Sequence, residues 1–233
     1  MKLASKILSP LAYLFYPHIC AGCGSDLLKH PNLLCLQCIL ELPHTGYSDQ
    51  ENNPVEKMFW GRIPIVAGMS EFYFSKGTIV QSLIHQLKYK GNKVVGLMLG
   101  KMMGQSIINS NRFGDIDGLI PLPLTIKKEH QRGYNQSKVL CDGISDAIHI
   151  PVINGIVIRT TSATTQTKKR RSERWENVEG SFSIVNPGVL MGKHLLLVDD
   201  VITTGATLEA CGKVILQVPD TRISIATLAW ATR

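Results

Sequence analysis

The sequence has no uninterrupted apolar run near the ~18 residues that a membrane-spanning helix needs, so no transmembrane helix is expected. Its start, MKLASKILSPLAYLFYPHIC, has Lys2 and Lys6 ahead of a short apolar stretch. Pro10 interrupts that stretch and no A-x-A cleavage site follows, so a secretory signal is not expected either. There is no internal repeat. There is no G-x-x-x-x-G-K-[ST] sequence: the Gly-Lys pairs are Gly100-Lys101 and Gly192-Lys193, and neither fits, which sets aside a P-loop ATPase. Charged residues make up only 18% of the chain against 44% hydrophobic, which excludes a disordered or fibrous protein. What remains is a globular protein expected in the cytoplasm. Its apolar start suits contact with a partner or with the inner face of the membrane. At 233 residues it has room for one full domain plus a small module, or for one large domain.

The formal net charge is +7, and it is concentrated. Lys127–Arg132 holds three cations (Lys127, Lys128, Arg132) against Glu129, a net of +2. Arg159–Arg174 holds six (Arg159, Lys168, Lys169, Arg170, Arg171, Arg174) against Glu173, a net of +5. Those two stretches carry the whole surplus. Such clustering suits an anion, either a polyphosphate or a nucleic-acid backbone, although a charge run alone is more often the mark of a solvated loop.

Four of the six cysteines sit together as two Cys-x-x-Cys pairs, Cys20/Cys23 and Cys35/Cys38, with eleven residues between the pairs. Two residues between partners let both sulfurs face one ion, and two such pairs complete a tetrahedron of thiolates, the closed set of a structural Zn²⁺ site. Disulfides are the alternative, disfavoured in a reducing cytosol. Cys141 and Cys211 fall on apolar helix faces and are expected in the core. The polar stretch Thr45–Asn53 reads as a linker. It divides an N-terminal zinc-binding module (1–50) from a main domain (55–233).

The main domain alternates strand and helix. Extended stretches are expected over Ile63–Phe74, Ile116–Pro121, Ile156–Arg159, His194–Asp199 and Ile223–Trp230. Helices are expected over Ile79–Leu87, Val94–Ile108, from Asn135 to Ile148, and over Leu208–Val218. This alternation implies an α/β fold with a mostly parallel sheet flanked by helices, in which ligands gather at the carboxyl ends of strands.

One stretch carries the chemistry. Residues 195–207 read LLLVDDVITTGAT: a buried strand, two aspartates, and a Thr-Thr-Gly-Ala-Thr turn into an amphipathic helix. Gly205 permits close approach of a ligand, and the amides at the helix start favour an anion. Thr203, Thr204 and Thr207 add hydroxyl donors. A phosphate repels carboxylates, so Asp199 and Asp200 suit the hydroxyls of a sugar attached to it, or Mg²⁺.

The run VDDVITTGAT resembles the phosphoribosyl pyrophosphate (PRPP) motif of the type I phosphoribosyltransferases. Together with PLPLTIKKEHQRGYNQSKVL (Pro121–Leu140), RTTSATTQTKKRRSERWENVEGSF (Arg159–Phe182) and the four-cysteine module, it resembles the ComF (ComFC) family of bacterial competence proteins over nearly the whole chain. The resemblance implies a type I phosphoribosyltransferase-like fold and a role in natural transformation, the uptake of single-stranded DNA into the cytoplasm alongside other DNA-uptake proteins. It implies that Asp199 and Asp200 hold the ribose hydroxyls, and that Thr203, Thr204, Gly205, Ala206 and Thr207 cradle the 5′-phosphate. Mg²⁺ would accompany the pyrophosphate. Lys127, Lys128 and Arg132 in one basic loop, and Lys168, Lys169, Arg170, Arg171 and Arg174 in another, would meet pyrophosphate or DNA, with Tyr134 and Trp175 as candidates to stack bases. No base pocket is evident, so phosphoribosyl transfer to a nucleobase is the alternative to ligand binding alone. Asp199 and Asp200 are expected to be exposed at a strand end and unimportant to the fold.

Overall fold

A computed structural model describes residues 19–26, 28, 32–160 and 181–231. The strands are β1 (Gly68–Phe74), β2 (Gly118–Pro121), β3 (Val157–Arg159), β4 (Phe182–Ile184), β5 (His194–Ile202) and β6 (Arg222–Ala231). The helices are α1 (Leu36–Leu40), α2 (Pro54–Phe59), α3 (Ile79–Tyr89), α4 (Lys93–Asn109), α5 (Ile126–Arg132), α6 (Gln136–Ile148) and α7 (Ala206–Ile215).

Four strands form a sheet of order β1-β6-β5-β2, every pair parallel. Parallel neighbours need crossovers, and helices supply them on both faces. The central strand β5 is therefore buried on both sides. Leu196 and Val198 lie in a cluster with α3, α4 and α6, and Leu195 and Leu197 in one with α2 and α7. Its unbroken LLLV run is what a doubly covered strand requires. Two of the helices over the first face, α4 and α6, come close because they lack side chains at their crossing: a Cβ on Gly100 of α4 would stand 2.9 Å from the Cα of Gly143 on α6.

The sheet, the flanking helices and the cysteine cluster match the expected architecture, and Cys141 and Cys211 are fully buried. Three local readings need correcting. The strand β5 does not stop at Asp199 but runs on to Ile202, so both aspartates lie inside it. The basic stretch Lys127–Arg132 is not a loop: Thr125 caps its start, Gly133 ends it in the left-handed region (φ 76°), and the residues between form α5. Thr45–Asn53 is polar but not an exposed tether. Asn53 is fully buried, donates to the carbonyls of Tyr47, Gln50 and Gly68, and caps α2 through its Oδ1. Its polarity satisfies buried backbone groups rather than meeting water.

Candidate sugar-phosphate site

The site lies at the carboxyl end of β5. Thr203 and Thr204 are exposed, and Gly205 turns the chain at φ 71° into α7, with Ala206 and Thr207 in the first helical turn. A side chain at Gly205 is excluded twice, by that φ and by α2: a Cβ would lie 2.8 Å from Met58 Sδ and 3.1 Å from Phe59. As the N-cap, Gly205 has no side chain with which to satisfy the first-turn amides, which suits them to an anion. A small hollow of about 40 Å³ lies here, lined by Asp199, Val201 and Thr203 to Leu208 among others.

Arg62 holds the cradle from behind. It donates to the carbonyl of Thr204 (3.0 Å) and to that of Met58 (2.9 Å), and its Nε donates to Glu209 Oε2 at 2.8 Å. Burial opposes ionisation of Glu209, but Lys213 and Arg62 outweigh it and hold the carboxyl below its ordinary range. The cradle is thus anchored through α7 to a residue 142 positions earlier in the chain.

The two aspartates are not the exposed pair expected. Asp200 is 8% exposed, and its Oδ1 meets Lys88 Nζ at 2.8 Å. Asp199 is half-buried, and its Oδ1 accepts from Ser137 Oγ (3.1 Å) and from the Asp200 amide (2.8 Å). Burial and the adjacent Asp200 charge push the Asp199 carboxyl up to about 7, against the opposing pull of that amide, Lys88 and Ser137.

The Arg132–Gln136 stretch (RGYNQ) serves as wiring. Arg132 donates to Gln136 Oε1 (2.5 Å) and lies over the Tyr89 ring (5.8 Å). The Tyr134 hydroxyl donates to the carbonyl of Leu87, and Lys93 lies 5.0 Å from its ring centre, so Tyr134 packs rather than waits for a base. Asn135 caps α6 and donates to the carbonyl of Leu122 at the end of β2. Ser137, directly after this stretch, reaches Asp199. The motif thereby joins α3, β2 and β5 at one point.

Of the cations expected to meet an anion, Lys127 and Lys128 are exposed on α5 and Arg132 is engaged as described. Lys168, Lys169, Arg170, Arg171 and Arg174, with Trp175, lie outside the described residues. Lys88, Ser137 and Arg62 escaped the sequence reading. Lys88 left one trace: it follows Ile84 by four residues, placing a cation in line with the buried face of an amphipathic helix.

The four cysteine sulfurs lie within 4.8 Å of one another, with Cys23 and Cys35 at 3.8 Å. Four sulfurs at about 2.3 Å around a tetrahedral Zn²⁺ are about 3.8 Å apart, so the residues fit the ion. Burial opposes ionisation of Cys20, but the amides of Cys23, Cys35 and Gly22 pull its thiol down to about 6, while burial pushes Cys38 up. The cluster rests on α3. A Cβ on Gly22 would meet Ile79, and Gln86 Nε2 donates to the carbonyl of Ala21 at 2.5 Å.

No family model matches the chain. Among curated proteins, the chain is 28% identical over 206 residues to the DNA utilization protein YhgH of Escherichia coli K12, covering 85% of this chain and 84% of that protein. It is 27% identical over 218 residues to competence protein F of Haemophilus influenzae, covering 91% and 90%. The chain is a homologue of the ComF competence proteins. Competence protein ComFC of Bacillus subtilis is 32% identical over 99 residues, 42% of this chain and 38% of that protein. Among solved structures, the glutamine PRPP amidotransferase of Bacillus subtilis aligns with a TM-score of 0.42 at 18% identity, over 62% of this chain and 30% of that one.

Proposed function

We propose that this competence-protein homologue binds PRPP together with Mg²⁺ at the β5–α7 turn. We also propose that it supports natural transformation by contacting single-stranded DNA through its basic surface. One juxtaposition carries the reading: a pair of carboxylates and an uncapped helix start lie within the nine residues from Asp199 to Thr207. The first suits a sugar diol and the second its 5′-phosphate, and a ribose 5-phosphate unit presents both. Transfer to a nucleobase is the weaker reading. Among the described residues, the hollow of about 40 Å³ beside the cradle has no aromatic side chain in its lining.

The exposed Lys127 and Lys128 on α5 supply part of the DNA surface, and the cations of the Arg159–Arg174 stretch supply the rest. The cysteine cluster holds a structural Zn²⁺. Docked on α3, it supports one wall of the sugar-phosphate site and takes no part in ligand chemistry.

The test is calorimetric titration of PRPP with Mg²⁺, with pyrophosphate release followed in the same samples across a panel of nucleobases. Binding without release is expected. Release dependent on one base would make the protein a phosphoribosyltransferase, and absence of binding would overturn the PRPP assignment. Affinity for single-stranded DNA is expected to fall steeply with salt. Salt-insensitive binding would remove the electrostatic account.

A further inference from the structure

A cation sits where the two-carboxylate site alone would repel a polyphosphate. We infer that Lys88 is a third member of the sugar-phosphate site, the group that lets an anionic sugar approach Asp199 and Asp200 and that contacts its phosphate oxygens. The inference rests on the PRPP reading above.

Three observations carry it. First, Lys88 is withdrawn from solvent, which is unusual for lysine. Its side chain is 19% exposed, that of Asp200 is 11%, and the two meet at 2.8 Å. Second, the ammonium has three N–H donors. Asp200 takes one, and among the described residues no other partner claims the remaining two, which stay available to ligand oxygens beside the diacid. Third, the backbone carrying Lys88 is held from several directions. The carbonyl of Leu87 accepts from the Tyr134 hydroxyl, Tyr89 lies under Arg132, and Gln86 is tied to Ala21 of the cysteine cluster. A lysine serving only solubility needs none of this fixing. One that must meet both a carboxylate and a ligand phosphate does, because a rigid donor loses less freedom on binding.

The ion pair also has a purely structural reading, in which Lys88 merely orients Asp200. The two roles separate by ligand. PRPP and ribose 5-phosphate share the diol and the 5′-phosphate, and only PRPP adds the pyrophosphate. In the full-length protein with Mg²⁺, Lys88→Met is expected to weaken PRPP by about 30-fold and ribose 5-phosphate by about threefold. Lys88→Arg, which keeps the charge, recovers most of the PRPP loss. Equal losses for the two ligands, or no loss for either, would overturn the inference while leaving PRPP binding by the unaltered protein intact. Absence of PRPP binding by the unaltered protein removes both readings. Should Lys88→Met melt below the titration temperature, Lys88→Gln, which keeps a donor to Asp200, is titrated instead and the same ratio decides.

Discussion

The cysteine cluster and the diacid cradle are built in opposite ways. All four sulfurs come from a stretch of nineteen residues, Cys20–Cys38, and lie within 4.8 Å of one another. The cradle is also contiguous, but its properties are imported. Lys88, Ser137 and Arg62 arrive from 112, 62 and 142 positions away to neutralise, orient and anchor it. A thiol knuckle can draw its ligand set from one short stretch, because a metal, when bound, supplies much of the folding energy. An anion site with two carboxylates needs compensating charge, and that charge comes from other elements.

The sharpest way to break this contrast is Cys38→Ser. Cys38 is buried, and its cluster is continuous with the core under α3 and α4. The variant is expected to lose bound zinc and about 3 kcal/mol or more of stability. Raised hydrogen exchange is expected around the cysteine cluster and at the Gln86 end of α3, since metal binding and folding are coupled. A full equivalent of zinc in the purified variant would contradict the site.

A middle-sized effect is expected at Gly205→Ala. Its φ of 71° and the contacts of 2.8 Å to Met58 and 3.1 Å to Phe59 leave no room for a methyl group. Thermal unfolding is expected to show a loss of about 1–3 kcal/mol, and PRPP titration a loss of about tenfold or more. Wild-type values in both would show that the turn is not held against α2.

The smallest effect tests the imported electrostatics through pH. Asp199 keeps its proton up to about 7 in the folded chain, against 3.8 for the ordinary carboxyl. Between those values the native state binds more protons than the unfolded state. The contribution of Asp199 to stability is therefore fully present below about pH 4 and is lost as pH rises through 7. Asp199→Asn abolishes that loss. Its stabilisation relative to wild type is expected to grow from pH 4 to 7 and level off above. It should reach about 1–2 kcal/mol, below the full linkage value because the side chain is partly solvated. PRPP binding should weaken at the same time. A difference independent of pH would place the Asp199 carboxyl back in the ordinary range.

These tests follow the line between what was legible in residues and what was not. The doubly covered strand, the amphipathic helices, the cysteine knuckle and the Asp-Asp-to-helix turn were readable because each is a short-range pattern with a fixed period or spacing. Lys127–Arg132 reads as a basic loop because its charges mask a helix with no buried residue and hence no apolar face to betray it. Thr45–Asn53 reads as a linker because polarity suggests solvent exposure, whereas Asn53 serves the buried carbonyls of Tyr47 and Gly68.

The pairing of thiols two residues apart, and a strand that runs through two carboxylates into a glycine turn and a helix, are written in neighbouring residues, which cannot avoid one another. That Asp200 faces Lys88, that Asp199 takes a hydroxyl from the RGYNQS stretch, and that Arg62 braces the cradle all depend on long-range packing. Those partners are separated by loops and crossovers, and the packing of α3 and α6 over β5 sets their distances. No local periodicity encodes that arrangement.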